Sequence, residues 1–224
     1  MAKKIKLSLI LNIIIFILVL IGLVFMITGF RFMGEDKLLV AKNIEAFKFF
    51  TVDSNLLMGL AALIYVIYQL LIEKKKIKEM PKIVSIIKFV ATVSVSLTFA
   101  IVLFYLAPFS DYEFFDFYTN SNLFFHLFVP VLSIITFACF ENKYEINNKA
   151  ILWGFVPILI YSTYYMIGAY SHVADGKVTE GYDWYGFLKN GASFTSALVV
   201  FVIMIVTTYL IIFTLKTANS KMNK

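Results

Sequence analysis

The segment LSLILNIIIFILVLIGLVFMITG (residues 7–29) decides the fold class, because it carries no charged residue over its whole length. At 1.5 Å per residue, a helix of this length crosses the roughly 30 Å hydrocarbon core of a bilayer. Backbone groups in hydrocarbon must be satisfied within the segment, so the predicted structure is an α-helix. Three lysines precede the run, but no small-residue cleavage site follows it. We therefore interpret it as a retained membrane span and not as a signal peptide.

Five more apolar blocks of similar length follow along the chain. The sequence has 224 residues, of which 61% are hydrophobic and 15% are charged, a composition too apolar for a single water-soluble core. It predicts an all-α polytopic membrane protein with one integral membrane domain over residues 1–224. The six predicted spans are residues 7–29, 49–72, 88–107, 122–140, 150–170 and 192–215.

The orientation follows from the basic residues. With the N-terminus inside, the inner segments hold thirteen Lys or Arg residues and the outer segments hold six. A fourteenth counts as inner if Lys88 extends to the inner surface. This bias predicts that both termini are cytoplasmic. Because the basic residues flank the spans, the net charge of +6 does not indicate a nucleic-acid partner; the expected partners are the lipid bilayer and a lipid substrate.

Other features of composition bear on location and chemistry. All but one of the basic residues are Lys, which suggests an AT-rich bacterial genome and therefore the plasma membrane. The single cysteine, Cys139, excludes an internal disulfide and a cysteine-based metal cluster. We expect no metal and no cofactor, because one intramembrane histidine with one nearby aspartate is a poor ligand set.

Polar side chains within spans are costly and mark functional candidates. The second span opens with Thr51, Ser54 and Asn55, whose spacing places them on one helix face; Asp53 points elsewhere. One interpretation is that Thr51 is a nucleophile and that Ser54 and Asn55 bind substrate. A simple N-terminal cap at the membrane interface is the alternative.

The fourth span carries a second polar face, formed by Asn122, His126 and Pro130 at intervals of four residues. Pro130 frees a backbone carbonyl near His126 and predicts a kink. His126 is interpreted either as a general base or as a satisfied hydrogen-bonding group between helices. We interpret His172 as a solvated loop residue, and the aromatic residues of YDWYGF (182–187) mainly as an interfacial belt.

Three stretches resemble one family: FFTVDSNLL (49–57), NLFFHLFVP (122–130) and YDWYGF (182–187). The sequence resembles the six-span membrane hydrolases of the androgen-induced and androgen-dependent TFPI-regulating protein family, in its bacterial branch. The resemblance implies a threonine hydrolase that cleaves fatty-acid esters of hydroxy fatty acids. It assigns Thr51 as the nucleophile and His126 as the base.

The predicted function is therefore lipid-ester hydrolysis at the outer side of the membrane. Thr51 attacks the ester carbonyl, His126 takes the proton, and Asn55 or Asn122 donates to the oxyanion. The alternative is a non-enzymatic membrane protein that binds or transports a lipid or an ion with the same residues. A third interpretation is a structural membrane subunit in which these polar residues only pack.

Overall fold

Residues 2–34, 38, 43–110, 112–141, 148–179, 181–188 and 193–222 are described by a computed structural model of the chain. Within these ranges, six helices are long and apolar enough to cross a membrane. They are α1 (Ala2–Thr28), α2 (Phe50–Glu73), α3 (Lys82–Phe109), α4 (Asn120–Phe140), α5 (Asn148–Tyr170) and α6 (Phe194–Met222). The protein is an all-α polytopic membrane protein, as the sequence predicted.

The predicted spans correspond to these helices one for one, and the two largest shifts at the ends are in the third and the sixth. The third begins at Lys82 instead of Lys88, directly after Pro81, whose backbone is extended (φ −61°, ψ 138°). The sixth continues to Met222, beyond the predicted end at residue 215. In both cases the helix extends past the apolar stretch, which hydropathy alone does not detect.

The central core forms where α1, α2, α3 and α4 meet. Its fully buried residues include Val19, Met58, Val95 and Phe125. Close approach of α1 and α2 depends on Gly59, because a Cβ at that position would lie 2.7 Å from a side-chain methyl carbon of Val19. Small residues at such crossings let membrane helices pack by van der Waals contact.

A buried ion pair lies in the cytoplasmic half of the bundle, in the predicted orientation. The Lys88 Nζ is 3.4 Å from the Glu141 Oε1, and these side chains are 1% and 4% exposed. The Lys88 Nζ also lies 3.3 Å from the Met58 Sδ. The alternative in which Lys88 extends to the inner surface is therefore wrong, because the side chain stays within the bundle to pair with Glu141.

Glu141 connects several helices at the point where α4 ends. Its side chain accepts a hydrogen bond from Asn12 of α1 at 3.1 Å, in addition to the pair with Lys88 of α3. Its backbone carbonyl accepts one from Asn219 of α6 at 3.4 Å. Four helices are thus joined through one residue that follows an apolar span.

The connection between α5 and α6 has two parts. An exposed antiparallel hairpin pairs Val173–Ala174 with Lys177–Val178, and Asp175 and Gly176 turn it with positive φ values of 50° and 73°, as two-residue hairpin turns require. Residues 181–188 then fold back onto the bundle. This second part covers the start of α2 and the end of α5, where the site described below is found.

Candidate functional site

A cavity of about 310 Å³ lies at this end of the bundle, which is the outer end in the predicted orientation, and its volume is within the size range of small-ligand sites. Its walls come from the beginnings of α2 and α4, the end of α3 and the returning segment 181–188. It brings together three of the five site residues predicted from the sequence, Thr51, Asn122 and His126. The other described lining residues are Met26, Leu38, Phe49, Val52, Leu106, Ser110, Tyr112, Phe117, Asp183, Trp184, Tyr185 and Gly186.

Thr51 is half-buried and is the second residue of α2. The N-cap position, Phe49, supplies no side-chain cap. Instead, the backbone N–H of Phe50 donates to the Tyr185 hydroxyl at 2.9 Å, and Thr51 and Tyr185 line the same cavity. The alternative in which the Thr51 cluster caps α2 is therefore not what the structure shows, because the cap comes from the returning segment.

Thr51 also stands at the positive end of a helix. The N–H groups of Val52 and Asp53 donate to the Phe49 carbonyl and that of Phe50 to Tyr185, and the aligned peptide dipoles leave a partial positive charge at this end of α2. Negative charge that develops next to Thr51 is therefore favoured by the local backbone. Desolvation raises the pKa of the Tyr185 phenol, so this neighbour keeps its proton and remains a hydrogen-bond donor.

His126 is positioned by an irregular turn of α4. Residues Phe124–Phe128 form a π-helical turn immediately before Pro130, and such turns are frequent at functional sites. The His126 Nδ1 is 2.7 Å from the Phe117 carbonyl oxygen. Because a carbonyl only accepts, Nδ1 carries the proton, which assigns the tautomer and leaves Nε2 as the acceptor nitrogen. His126 is 7% exposed, and it lines the cavity.

Thr51 and His126 share the cavity, yet no direct hydrogen bond joins the two side chains among the described contacts. Catalytic hydrogen bonds are often long without substrate and tighten in the complex. The predicted pair is thus placed together by the structure, and its catalytic role stays a prediction.

Ser54 and Asn55 lie behind the site and do not line it. The Ser54 hydroxyl is 2.9 Å from the Thr98 hydroxyl, and the Asn55 Nδ2 donates to the carbonyl oxygens of Thr51 at 2.7 Å and Phe125 at 3.2 Å. Both side chains are buried. They fix the start of α2 against α3 and α4, whereas Asn122 faces the cavity directly.

A second, apolar crevice meets the cavity at Thr51. This crevice of about 70 Å³ lies among α2, α3, α5, α6 and segment 181–188, and its lining is predominantly apolar. Thr51, Leu106 and Tyr185 line both spaces. Thr51 therefore stands between the apolar crevice and a larger cavity whose mostly apolar lining includes the polar residues Asn122 and His126.

The sequence interpretation missed the contribution of segment 181–188. Trp184 is 8% exposed, and its Nε1 donates to the Tyr161 hydroxyl at 2.9 Å, which in turn donates to the Lys48 carbonyl at 2.6 Å. Asp183 accepts a hydrogen bond from the Tyr165 hydroxyl. These residues pack into the protein and cover the site. The interpretation of Trp184 as part of an interfacial aromatic belt is therefore wrong. The aspartate between aromatic residues in YDWYGF was the available signal.

Within the described residues, no group of three or more His, Cys, Asp or Glu side chains is arranged to hold a metal ion. Cys139 is a half-buried free thiol at the opposite end of α4 from the cavity. Comparison of the chain with protein-family models, with curated proteins and with solved structures finds no match in any of the three.

Proposed function

We propose that this protein is a lipid-ester hydrolase integral to the plasma membrane, with Thr51 as the nucleophile and His126 as the base. One observation carries the proposal: Thr51 lines both an apolar crevice and the larger cavity that holds Asn122 and His126. A lipid ester likewise has two parts that meet at its carbonyl group, the acyl chain on one side and the alcohol on the other. The fatty-acid ester of a hydroxy fatty acid is the class that the family resemblance implies.

The reaction proceeds in two steps. The Thr51 Oγ bonds to the ester carbonyl carbon while its proton passes to the His126 Nε2. The carbon–oxygen bond to the alcohol then breaks, and the leaving oxygen takes that proton from His126. Water next attacks the acyl-threonine, with His126 again accepting and returning a proton, and the fatty acid leaves. A threonine hydroxyl needs such an adjacent base, because it is a weak nucleophile at its ordinary pKa.

Stabilisation of the oxyanion is assigned to groups that face the cavity. Asn122 is better placed than Asn55, whose Nδ2 is already bonded to two backbone carbonyls. Tyr185 is the second proposed donor, since its phenol stays protonated beside Thr51. Preorganised donors of this kind act where charge develops, in a site from which water is largely excluded.

Activity-based labelling tests the proposal on purified protein. A fluorophosphonate carrying an alkyl chain should label the wild type and should not label Thr51→Ala or His126→Ala. Ser54→Ala and His172→Ala are matched controls: Ser54 carries the neighbouring buried hydroxyl on the same helix, and His172 is the exposed histidine. The threonine mechanism would be excluded if the probe labels the wild type and Thr51→Ala equally, or if it labels neither the wild type nor any variant.

The second candidate is a lipid- or ion-binding or transport protein without catalysis. It is favoured by polar groups that continue inward from the site along α3, where Thr92, Ser94, Ser96 and Thr98 are buried between the cavity and the Lys88–Glu141 pair. Buried ionisable groups in spans often mark ion pathways. Ion or proton flux in proteoliposomes that Glu141→Gln abolishes, without probe labelling of Thr51, would favour this function over hydrolysis.

A further inference from the structure

The apolar crevice beside Thr51 runs outward between α5 and α6. Its inner end reaches Thr51 and Leu97, and farther out it is lined by Ser162 of α5 and by Val200 and Phe201 of α6. Phe201 lines the crevice and is nevertheless 39% exposed on the outer surface of the bundle. The crevice therefore has an opening at this surface, between the two helices.

The opening lies at the depth of the membrane. Phe201 follows the start of α6 at Phe194 by seven residues, which places it roughly 10 Å along the helix at 1.5 Å per residue. The hydrocarbon core of a bilayer is roughly 30 Å thick, so this position lies within it. The nearby Leu198 and Val202 of α6 are apolar and exposed, as a lipid-facing surface requires. The opening therefore faces hydrocarbon and not water.

The crevice is too small to hold a whole acyl chain. Its volume of about 70 Å³ is little more than twice the roughly 30 Å³ that one water molecule occupies in the liquid. A methylene group is of similar size, so the crevice holds only the few carbons next to an ester carbonyl at Thr51. The rest of a long chain must lie elsewhere, and the opening leads to hydrocarbon, where apolar groups are already out of water.

We propose that the lipid ester reaches Thr51 sideways from the bilayer, through the opening between α5 and α6, and that most of its acyl chain stays in the membrane hydrocarbon while it is bound. This inference rests on the proposed hydrolase function, which places the ester carbonyl at Thr51. The substrate class is then a membrane-resident ester with a long acyl chain. The length of that chain beyond its first few carbons has little influence on binding.

Photo-crosslinking in lipid nanodiscs tests the route without requiring catalysis. The probes are two non-hydrolysable ether analogues of a long-chain ester, identical except that one diazirine lies next to the ether or at the far end of the alkyl chain. Mass spectrometry identifies the crosslinked residues. The first probe should label crevice residues such as Leu97 and Val200. The second should label bilayer lipid or exposed residues of α5 and α6, and a crosslink from it to the buried core residue Val95 would overturn the proposal.

Two valines of α6 give a matched pair of variants. Val200 lines the crevice, whereas Val202 is exposed and is not among the described lining residues. Val200→Trp should raise the apparent Kd of the first probe at least about fivefold, because the added ring fills the crevice and overpacking costs about 1 kcal/mol or more. Val202→Trp should leave this Kd nearly unchanged. Ser162→Trp, with the exposed Ile160→Trp as its control, repeats the test from α5, so a folding failure of one variant leaves the comparison intact.

Equal affinity of the crevice variants and their controls for the first probe would overturn the proposal, and so would the absence of any crosslink in the crevice. The outcomes separate from those of the fluorophosphonate experiment. Crevice crosslinks that Val200→Trp removes, without labelling of Thr51, would refute hydrolysis and keep the sideways route for a bound lipid. Labelling of Thr51 without crevice crosslinks would keep hydrolysis and refute the route.

Discussion

The buried Lys88–Glu141 pair makes a sharp prediction about stability. Replacing Lys88 with Met leaves the Glu141 carboxylate 4% exposed with Asn12 as its remaining side-chain donor. Replacing Glu141 with Gln leaves an ammonium group whose remaining described contact is the Met58 sulfur at 3.3 Å. In either single variant, a full charge stays buried without its counter-ion.

Removing one partner of a buried pair costs about 3–5 kcal/mol, because the remaining charge is desolvated and uncompensated. The double variant Lys88→Met/Glu141→Gln contains no buried charge, and replacing both partners of such a pair is often nearly neutral. We therefore expect each single variant to lose about 3–5 kcal/mol of unfolding free energy and the double variant to lose less than either. The resulting coupling free energy should exceed about 2 kcal/mol.

The unfolding free energies of the wild type, the two single variants and the double variant can be measured by reversible unfolding in mixed micelles, with thermal unfolding as a second readout. A loss of 1 kcal/mol shifts the Tm of a chain this long by roughly 2–4 °C, so each single variant should melt roughly 6–20 °C below the wild type. Lys82→Met is the matched control, since Lys82 is an exposed lysine at the start of the same helix. It should change the Tm by little.

Additive losses in the double variant would refute the reasoning, because they would show that the two side chains do not sense each other. Losses below about 1 kcal/mol in both single variants would do the same, since that is the range of exposed pairs. A double variant that is less stable than both single variants would also contradict the argument.

Three further predictions concern topology, the returning segment and helix packing. In a background without the native cysteine, Asp175→Cys should react with an impermeant thiol reagent added outside intact cells and Lys76→Cys should not; the reverse pattern would invert the orientation. Trp184→Ala should cost about 3–5 kcal/mol, measured by unfolding in micelles, because a large buried side chain is lost; a surface-like cost below about 0.5 kcal/mol would contradict its burial. Gly59→Ala should cost about 1–3 kcal/mol of unfolding free energy by the same measurement, because the added methyl group overpacks the crossing of α1 and α2. Gly168→Ala is the control and should cost less, because its added Cβ would meet nothing closer than 3.7 Å. Equal costs for the two variants would argue against the tight crossing.

The sequence predicted the helices because length and hydropathy are local properties that a bilayer constrains strongly. The meeting of Thr51 with Asn122 and His126 was also predictable in outline. Both polar groups lie at the outer ends of their spans, and this common depth brings them together once α2 and α4 pack side by side. Their exact contacts, such as the Nδ1 bond of His126 to Phe117, depend on a π-helical turn that periodicity does not reveal.

The remaining features depend on contacts between distant positions. Lys88 lies on α3 and Glu141 directly follows α4, and neither position suggests a partner when it is considered alone. Segment 181–188 has the aromatic composition of an interfacial belt, but a segment packed against protein can have the same composition. Composition therefore does not distinguish the two placements. Only the arrangement in space shows that Trp184 donates to Tyr161 and that Asp183 accepts from Tyr165.

The returning segment also has a consequence for biosynthesis. The N-terminus of α2 is capped by Tyr185, and the Tyr161 hydroxyl of α5 accepts from Trp184, so both helices depend on residues made after them. A nascent chain that ends at α5 leaves the first turn of α2 uncapped and the space beside Thr51 without its roof. In the predicted orientation, segment 181–188 must be translocated before these contacts form. Assembly of the site therefore comes late in synthesis, shortly before α6 enters the membrane, and the site stays incomplete while the lipid-exposed parts of the bundle are already in place.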